Sequence, residues 1–191
     1  MLVHCPHPKR ERTGASKRFN IFSPECERVV RTIKLTESLT EIKQAWLTFR
    51  FSPSVSVNFD YCQIRDALKH LKYSAEDVKF FSISMIEFQD DPDFRYKGGL
   101  FLSALINNGV DSEYVVITKH LDEPLDCLCY GNSKTVRLEG NAGTRIGGLM
   151  EEGTIHIDGS YVSIATGISR DGEYTRGLGK IYCNGELVFP K

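Results

Sequence analysis

The sequence predicts an α+β protein in which an N-terminal helical unit is followed by a β-solenoid, and three observations carry that expectation. Between Tyr61 and Ile106 apolar residues recur every three or four positions; from Tyr114 the period changes to two; and one short β phrase repeats. The phrase Val136-x-Leu138-x-Gly140 returns after 19 residues as Ile155-x-Ile157-x-Gly159, and a third copy, Ile181-x-Cys183-x-Gly185, follows 26 residues later. Fixed-period recurrence of a β phrase marks a solenoid, whose repeats bury their apolar faces only against their neighbours.

The chain has 191 residues, a formal net charge of -1 and 41% apolar residues, enough to bury a core as one larger or two small domains. Near-neutral charge gives no general reason to expect nucleic acid, which needs concentrated Lys and Arg. No apolar run approaches the roughly 20 residues that cross a bilayer, and MLVHCPHPKRER lacks the apolar stretch of a secretory signal, so a cytoplasmic protein without membrane contact is expected. The cysteines Cys5, Cys26, Cys62, Cys127, Cys129 and Cys183 form no C-x-x-C pair and read as reduced thiols.

Residues 1–20 hold Lys9, Arg10, Arg12, Lys17 and Arg18 against Glu11 and read as a disordered basic tail. A nucleic-acid arm is the lesser reading of the same residues. His4, Cys5 and His7 crowd three ligands into four positions, a poor match to zinc spacing.

Residues 21–110 read as a mainly helical domain. Ser23-Pro24-Glu25 opens a helix carrying Cys26, Val29, Val30 and Ile33. Ser38-x-x-Glu41 is a capping-box pattern before Leu39, Ile42, Trp46 and Phe49, which places the lone tryptophan in the core. Val55, Val57 and Phe59 alternate with polar residues and suggest a strand. Tyr61, Ile64, Leu68 and Leu71 form a stripe on a helix starting near Asp60. Ser74-x-x-Asp77 caps another, with Val78, Phe81, Met85 and Phe88 along it, until Asp90-Asp91-Pro92-Asp93 breaks it. These acids lack the remaining positions of a calcium loop and read as a connector. His70 falls one residue off the stripe and reads as a surface histidine. Phe94 to Ile106 is the third helix of the block that starts at Tyr61, weakened by Gly98-Gly99, which allows close packing or a kink, and closed by Asn107-Asn108-Gly109 as a left-handed cap.

Residues 111–191 read as the β domain, beginning with Tyr114 to Ile117. Cys127-x-Cys129-x-Gly131 is a small version of the repeat phrase, its thiols on the inward face of a strand, so core is favoured over a redox or metal pair. Gly140, Gly143, Gly147, Gly153, Gly159 and Gly185 are the structural turn glycines, reaching positive φ where the chain corners. Ile146 and Met150 point inward; Glu139, Arg145, Glu151, Glu152 and Asp158 point outward. A phosphate loop is disfavoured, because strand alternation follows Gly140-x-x-Gly143 where such a loop needs a helix.

Leu138-Glu-Gly-Asn-Ala-Gly143, Ile146-Gly147, Met150 and Gly153-x-Ile-x-Ile-x-Gly159 resemble the repeat of the GXGXG family, found in one of the subunits of formylmethanofuran dehydrogenase and in the C-terminal domain of the glutamate synthase large chain. Gly179 to Glu186 is similar to the ending of the dehydrogenase member. The match covers residues 125–191. It implies a right-handed parallel β-helix and a structural, subunit-contacting role, with the chemistry belonging to other domains or subunits. Two departures stand out: few coils, and Ser160-Tyr-Val-Ser163 in place of another Asn-Ala-Gly-x. Ser169 to Arg176 reads as a protruding loop with a turn at Asp171-Gly172.

The function expected from these readings is a non-catalytic structural or interaction module with a protein partner or a second copy of itself. No catalytic, cofactor-binding or metal-ligating residue is assigned. The alternatives are an accessory subunit of a formylmethanofuran dehydrogenase-like or other redox enzyme, or an enzyme with a site between the two domains. His120, His156, Asp158, Arg170 and Glu173 are the residues that such a site would draw on, with His156 expected to face solvent between Ile155 and Ile157.

Overall fold

The computed structural model describes residues 36–150, 152–165, 167–170, 173–176 and 179–190, with the backbone alone for 167–170 and 173–176. In chain order it contains α1 (Glu37–Thr48), α2 (Val57–Leu68), α3 (Ala75–Ser84), a 3₁₀ turn (Met85–Phe88), α4 (Phe94–Asn108), β1 (Glu113–Ile117), β2 (Thr135–Glu139), β3 (Thr154–Asp158), β4 (Gly167–Arg170), β5 (Glu173–Arg176), β6 (Lys180–Cys183) and β7 (Glu186–Phe189). The fold is mixed α+β, with four helices among the described residues and a five-stranded, mostly parallel sheet in the order β1-β2-β3-β6-β7. The basic tail, the helix from Ser23 and the His4–His7 cluster lie outside the described residues. No described helix is long and apolar enough to cross a membrane.

Helix α1 is capped by Thr36, two residues before the expected Ser38: its hydroxyl accepts from the Leu39 amide at 3.0 Å. Leu39, Ile42 and Trp46 are buried as the spacing requires. The expected strand at Val55–Phe59 is instead the entry to α2. Ser56, one of the two polar members of that alternation, caps Phe59 N, and Asp60 accepts from Ser54 N and the Tyr96 hydroxyl (3.0 and 2.9 Å). Val55 is fully exposed, and among the described residues no sheet edge offers the segment a partner, so the local cap wins over the alternation. Tyr61, Ile64 and Leu68 are the buried stripe of α2.

Ser74 and Asp77 form the expected capping box of α3. That helix ends at Ser84, and its apolar spacing passes into the 3₁₀ turn, so Met85 is buried beyond the α-helical register. Asp77 also accepts from the Thr36 hydroxyl at 2.6 Å, so one carboxylate ties together the starts of α1 and α3. Burial works against its charge, but hydrogen bonds from Thr36, the Ser74 amide and the Ser74 hydroxyl outweigh it and hold its pKa below the usual carboxylate value. The folded pKa is lower than the unfolded one, about 3.9. The stabilisation is therefore complete above that pH and lost as pH falls through the folded value. Asp77→Asn is expected to cost about 1–2 kcal/mol at pH 7. The difference from wild type in urea unfolding should shrink from pH 5 to pH 2; a pH-independent difference would exclude the charge as its cause.

Helix α4 runs unbroken through Gly98-Gly99, so those residues serve packing and not a kink. A Cβ on Gly99 would overlap the Asp126 carbonyl oxygen. Ser103, one turn on, donates to Gly99 O (2.6 Å) and accepts from Tyr130 N (3.0 Å), fastening the helix to residues 125–131. The helix closes at Gly109 in extended conformation (φ -70°), not the expected left-handed one. A Cβ there would overlap the Tyr114 hydroxyl, so a larger residue would have to displace that ring.

Strands β1, β2, β3 and β6 are parallel, with Tyr114, Val136, Ile155 and Ile181 in one register row. The residues of this row are buried, and their sequence neighbours Arg137 and His156 are exposed, which is the period of two in space. Isolated parallel bridges join Leu125 to Ala142, Ala142 to Tyr161 and Ile146 to Ile164 beyond the strands. The Cys127–Gly131 phrase is not a strand. Cys127 and Cys129 have φ of 56° and 60°, as Arg145, Gly147 and Leu149 have 57°, 68° and 51°, in tight turns where Gly131 N and Cys127 N donate to Gly148 O and Thr144 O. Both thiols are buried.

Of the turn glycines, Gly140, Gly147, Gly153 and Gly185 have positive φ; Gly143 and Gly159 do not, and are confined by the Leu125 and Gly140 backbones instead. The third repeat copy behaves differently from the first two. β6 continues the parallel register, but Asn184 and Gly185 both adopt positive φ and reverse the chain into antiparallel β7. β4 and β5, within the expected loop, pair as an antiparallel hairpin. Buried apolar side chains form one cluster from Leu39 in α1 to Ile181 in β6.

Candidate interaction face on the parallel sheet

The outward side of the sheet is built by alternation: where Val136, Ile155 and Ile181 turn in, the next residues turn out. Register therefore lines up Val115, Arg137, His156, Tyr182 and Leu187 across the five strands. The His156 and Tyr182 rings are stacked, 5.0 Å apart and 11° from parallel. Arg137 donates Nε to Asp158 Oδ2 at 2.8 Å and lies within 2.7 Å of the same oxygen through Nη2. Lys119 and Glu139 stand 3.9 Å apart at the neighbouring corner. Arg137, His156, Ile157, Asp158, Tyr182 and Gly185 line a shallow depression of about 370 Å³.

This arrangement brings together two of the residues prominent in the sequence, His156 and Asp158. His156 is exposed, as expected from its place between two inward isoleucines. Arg137 and Tyr182 have no such prominence; the signal for them is register, since each occupies the middle position of a copy of the β phrase, as His156 does. His120 belongs to a different place. It is half-buried after β1, where burial lowers its pKa against the opposing pull of backbone groups of Ile83 and Ser82, and its Nε2 has no hydrogen-bond partner among the described residues. Arg170 and Glu173 pair across the β4–β5 hairpin; their side chains lie outside the described residues. Exposed His70 lines a separate groove between α1 and α2 with Glu41, Gln44, Thr48 and Leu71.

Chemically the depression offers a stacked aromatic pair and a neutralised arginine, not a nucleophile held against a base. Arginine and tyrosine on a rigid frame are the residue types that dominate binding hot spots. Among the described residues no group of three or more His, Cys, Asp or Glu is placed to hold a metal ion. The buried thiols are unreactive by environment: burial pushes Cys127 up to about 11 and Cys129 up to about 12. In native protein at pH 8, iodoacetamide is expected to label the half-buried Cys62 and Cys183 well before Cys127 and Cys129, as read by peptide mass mapping. Equal rates would show that the 125–131 turn opens.

Comparison with protein-family models, curated proteins and solved structures finds no match to this chain.

Proposed function

We propose that this chain is a non-catalytic interaction module, and that its parallel sheet is one side of a short right-handed β-helix of the GXGXG type. The β-helix reading is supported by the 19-residue offset that pairs Thr135 with Thr154 and by the second set of parallel bridges through Ala142 and Ile146. The functional reading is carried by one observation: Arg137, His156 and Tyr182 stand in register on the outward face of the sheet, around an open depression. Parallel strands fix these side chains without loop ordering, which lowers the entropy cost of binding. The partner is a protein, because the face pairs its own charges, Arg137 with Asp158 and Lys119 with Glu139, and among the described residues presents no surplus of cations for nucleic acid.

Affinity purification from the native host with mass spectrometry tests this when wild type and Tyr182→Ala are compared. A protein recovered with wild type and reduced at least about tenfold with Tyr182→Ala is expected, since a hot-spot truncation costs about 2 kcal/mol or more. Equal recovery with both forms, or no partner with either, would sink the reading. A Tyr182-dependent partner bearing redox cofactors would favour the accessory-subunit version of it.

A further inference from the structure

The margins of the parallel ladder are finished by side chains. Along the corner that follows each strand, Thr118 N donates to Glu139 O (2.9 Å) and Gly140 N donates to Asp158 O (3.1 Å), each amide meeting the carbonyl of the next strand. One step further the pattern changes. Gly159 N donates to Asn184 Oδ1 (3.1 Å), and Asn184 Nδ2 returns a bond to Gly159 O (3.0 Å). The Asn184 primary amide thus takes the place, beside β3, of the backbone peptide that would follow β6 had the chain run on in parallel, so β6 ends here and its other edge is left to β7. Its own backbone amide holds Ile157 O at 2.9 Å, while φ of 50° at Asn184 and 85° at Gly185 turns the chain back as β7. No atom of the described residues lies within 4 Å of a Cβ built on Gly185, so conformation and not crowding calls for glycine there. At the opposite margin the Ile117 amide donates to the Ser82 hydroxyl of α3 at 2.9 Å.

A parallel edge left with unpaired amides and carbonyls is a template for another chain. We propose that Asn184 and the hairpin it begins are a terminator of the ladder, which keeps β6 from pairing with the β6 of a second copy. The slot beside β6 accepts an antiparallel strand, since β7 fills it in that sense, with Tyr182 opposite Leu187. A second copy's β6 presents the same four-residue length and runs antiparallel under a two-fold axis, the symmetry that most homodimers adopt. Head-to-tail addition onto β1 is blocked, because α3 already takes a ladder donor there. The inference rests on backbone register and corner bonding, and stands or falls independently of the proposed protein partner.

The test is the mass of the full chain in solution, by size-exclusion chromatography with light scattering from about 5 to 200 μM. The variant Asn184→Ala/Gly185→Val removes the amide that imitates the peptide and disfavours the turn, while both positions are exposed and no core atom is lost. Its circular dichroism is expected to match wild type, and its mass to rise towards twice the wild-type value with concentration. A folded variant whose mass stays at the wild-type value throughout overturns the proposal. Should the double variant fail to fold, Asn184→Ala alone decides by the same reading, with a smaller shift towards the doubled mass expected.

Discussion

Trp46→Ala is expected to lower the free energy of unfolding by about 3–5 kcal/mol, the range for deleting a buried large aromatic. Trp46 lies at the centre of an aromatic cluster: Phe101 at 5.1 Å, Phe88 at 5.4 Å, and Phe81 and Phe94 at 6.2 Å between ring centroids. These rings come from α1, α3, the 3₁₀ turn and α4, so the cavity would open where four elements meet. A second effect adds to the first. The ammonium of Lys97, a buried residue, lies 4.1 Å from the Trp46 ring centroid and is held also by Asp91 and the Trp46 carbonyl, both at 3.3 Å. Removing the indole strips this cation of its aromatic face in a place water cannot readily reach, which adds a desolvation cost. Trp46→Phe keeps a ring over Lys97 and should cost less than half as much. Urea unfolding followed by far-UV circular dichroism measures both; a loss below about 1 kcal/mol for Trp46→Ala would remove the cluster from the centre of the core.

Gly99→Ala is expected to destabilise by about 2–3 kcal/mol, although helix propensity alone predicts a gain of about 1 kcal/mol. The two effects oppose each other, and what the new methyl group meets decides between them. At Gly99 it overlaps the Asp126 carbonyl oxygen and comes within 3.2 Å of Leu128 N, both backbone atoms. Those atoms cannot move freely: Asp126 N donates to Arg95 O at 3.1 Å, and the Asp126 carboxylate accepts from Thr144 N at 2.6 Å. The neighbouring position gives the contrast. At Gly98 the closest atom is Met85 Cε at 2.7 Å, the end of a flexible side chain, so Gly98→Ala should stay within about 1 kcal/mol of wild type. Thermal melts of the two variants side by side read the difference. Equal effects would show that α4 is not held against residues 125–131 as described.

Much of the frame is legible in the sequence because it depends on local chemistry. The Ser74–Asp77 capping box needs only four residues in a row, and it forms as expected. The 19-residue offset places β2 and β3 side by side, and alternation puts Ile155 and Ile157 in and His156 out, since a strand's period of two follows from its backbone geometry. The misreadings arise where a nearer cap competes, as Thr36 does with Ser38 and Ser56 with the alternation, or where a distant element decides. Val55 to Phe59 alternate as a strand would, but among the described residues no strand pairs with them, and Ser56 and Asp60 draw the chain into α2. Cys127 and Cys129 alternate too, yet close hydrogen bonding with residues 144 and 148 folds them into left-handed turns.

The interaction face shows the same division. His156 and Asp158 can be picked out as titratable residues on one strand; Arg137 and Tyr182 join them through pairing alone, 19 and 26 residues away in the chain. His120, equally prominent in the sequence, is half-buried near α3 and contributes nothing to that face.

By itself the sequence determined the α+β class, the capping box of α3 and the inward and outward sides of the repeated β phrase, because a capping box and a side-chain period are set within a few residues of backbone. Only the tertiary structure decided that Gly99 must accommodate a carbonyl, that one carboxylate joins two helix starts and that Asn184 ends the ladder. Each of these depends on atoms far apart in the chain meeting at hydrogen-bond or van der Waals distance, and no local pattern encodes such a meeting.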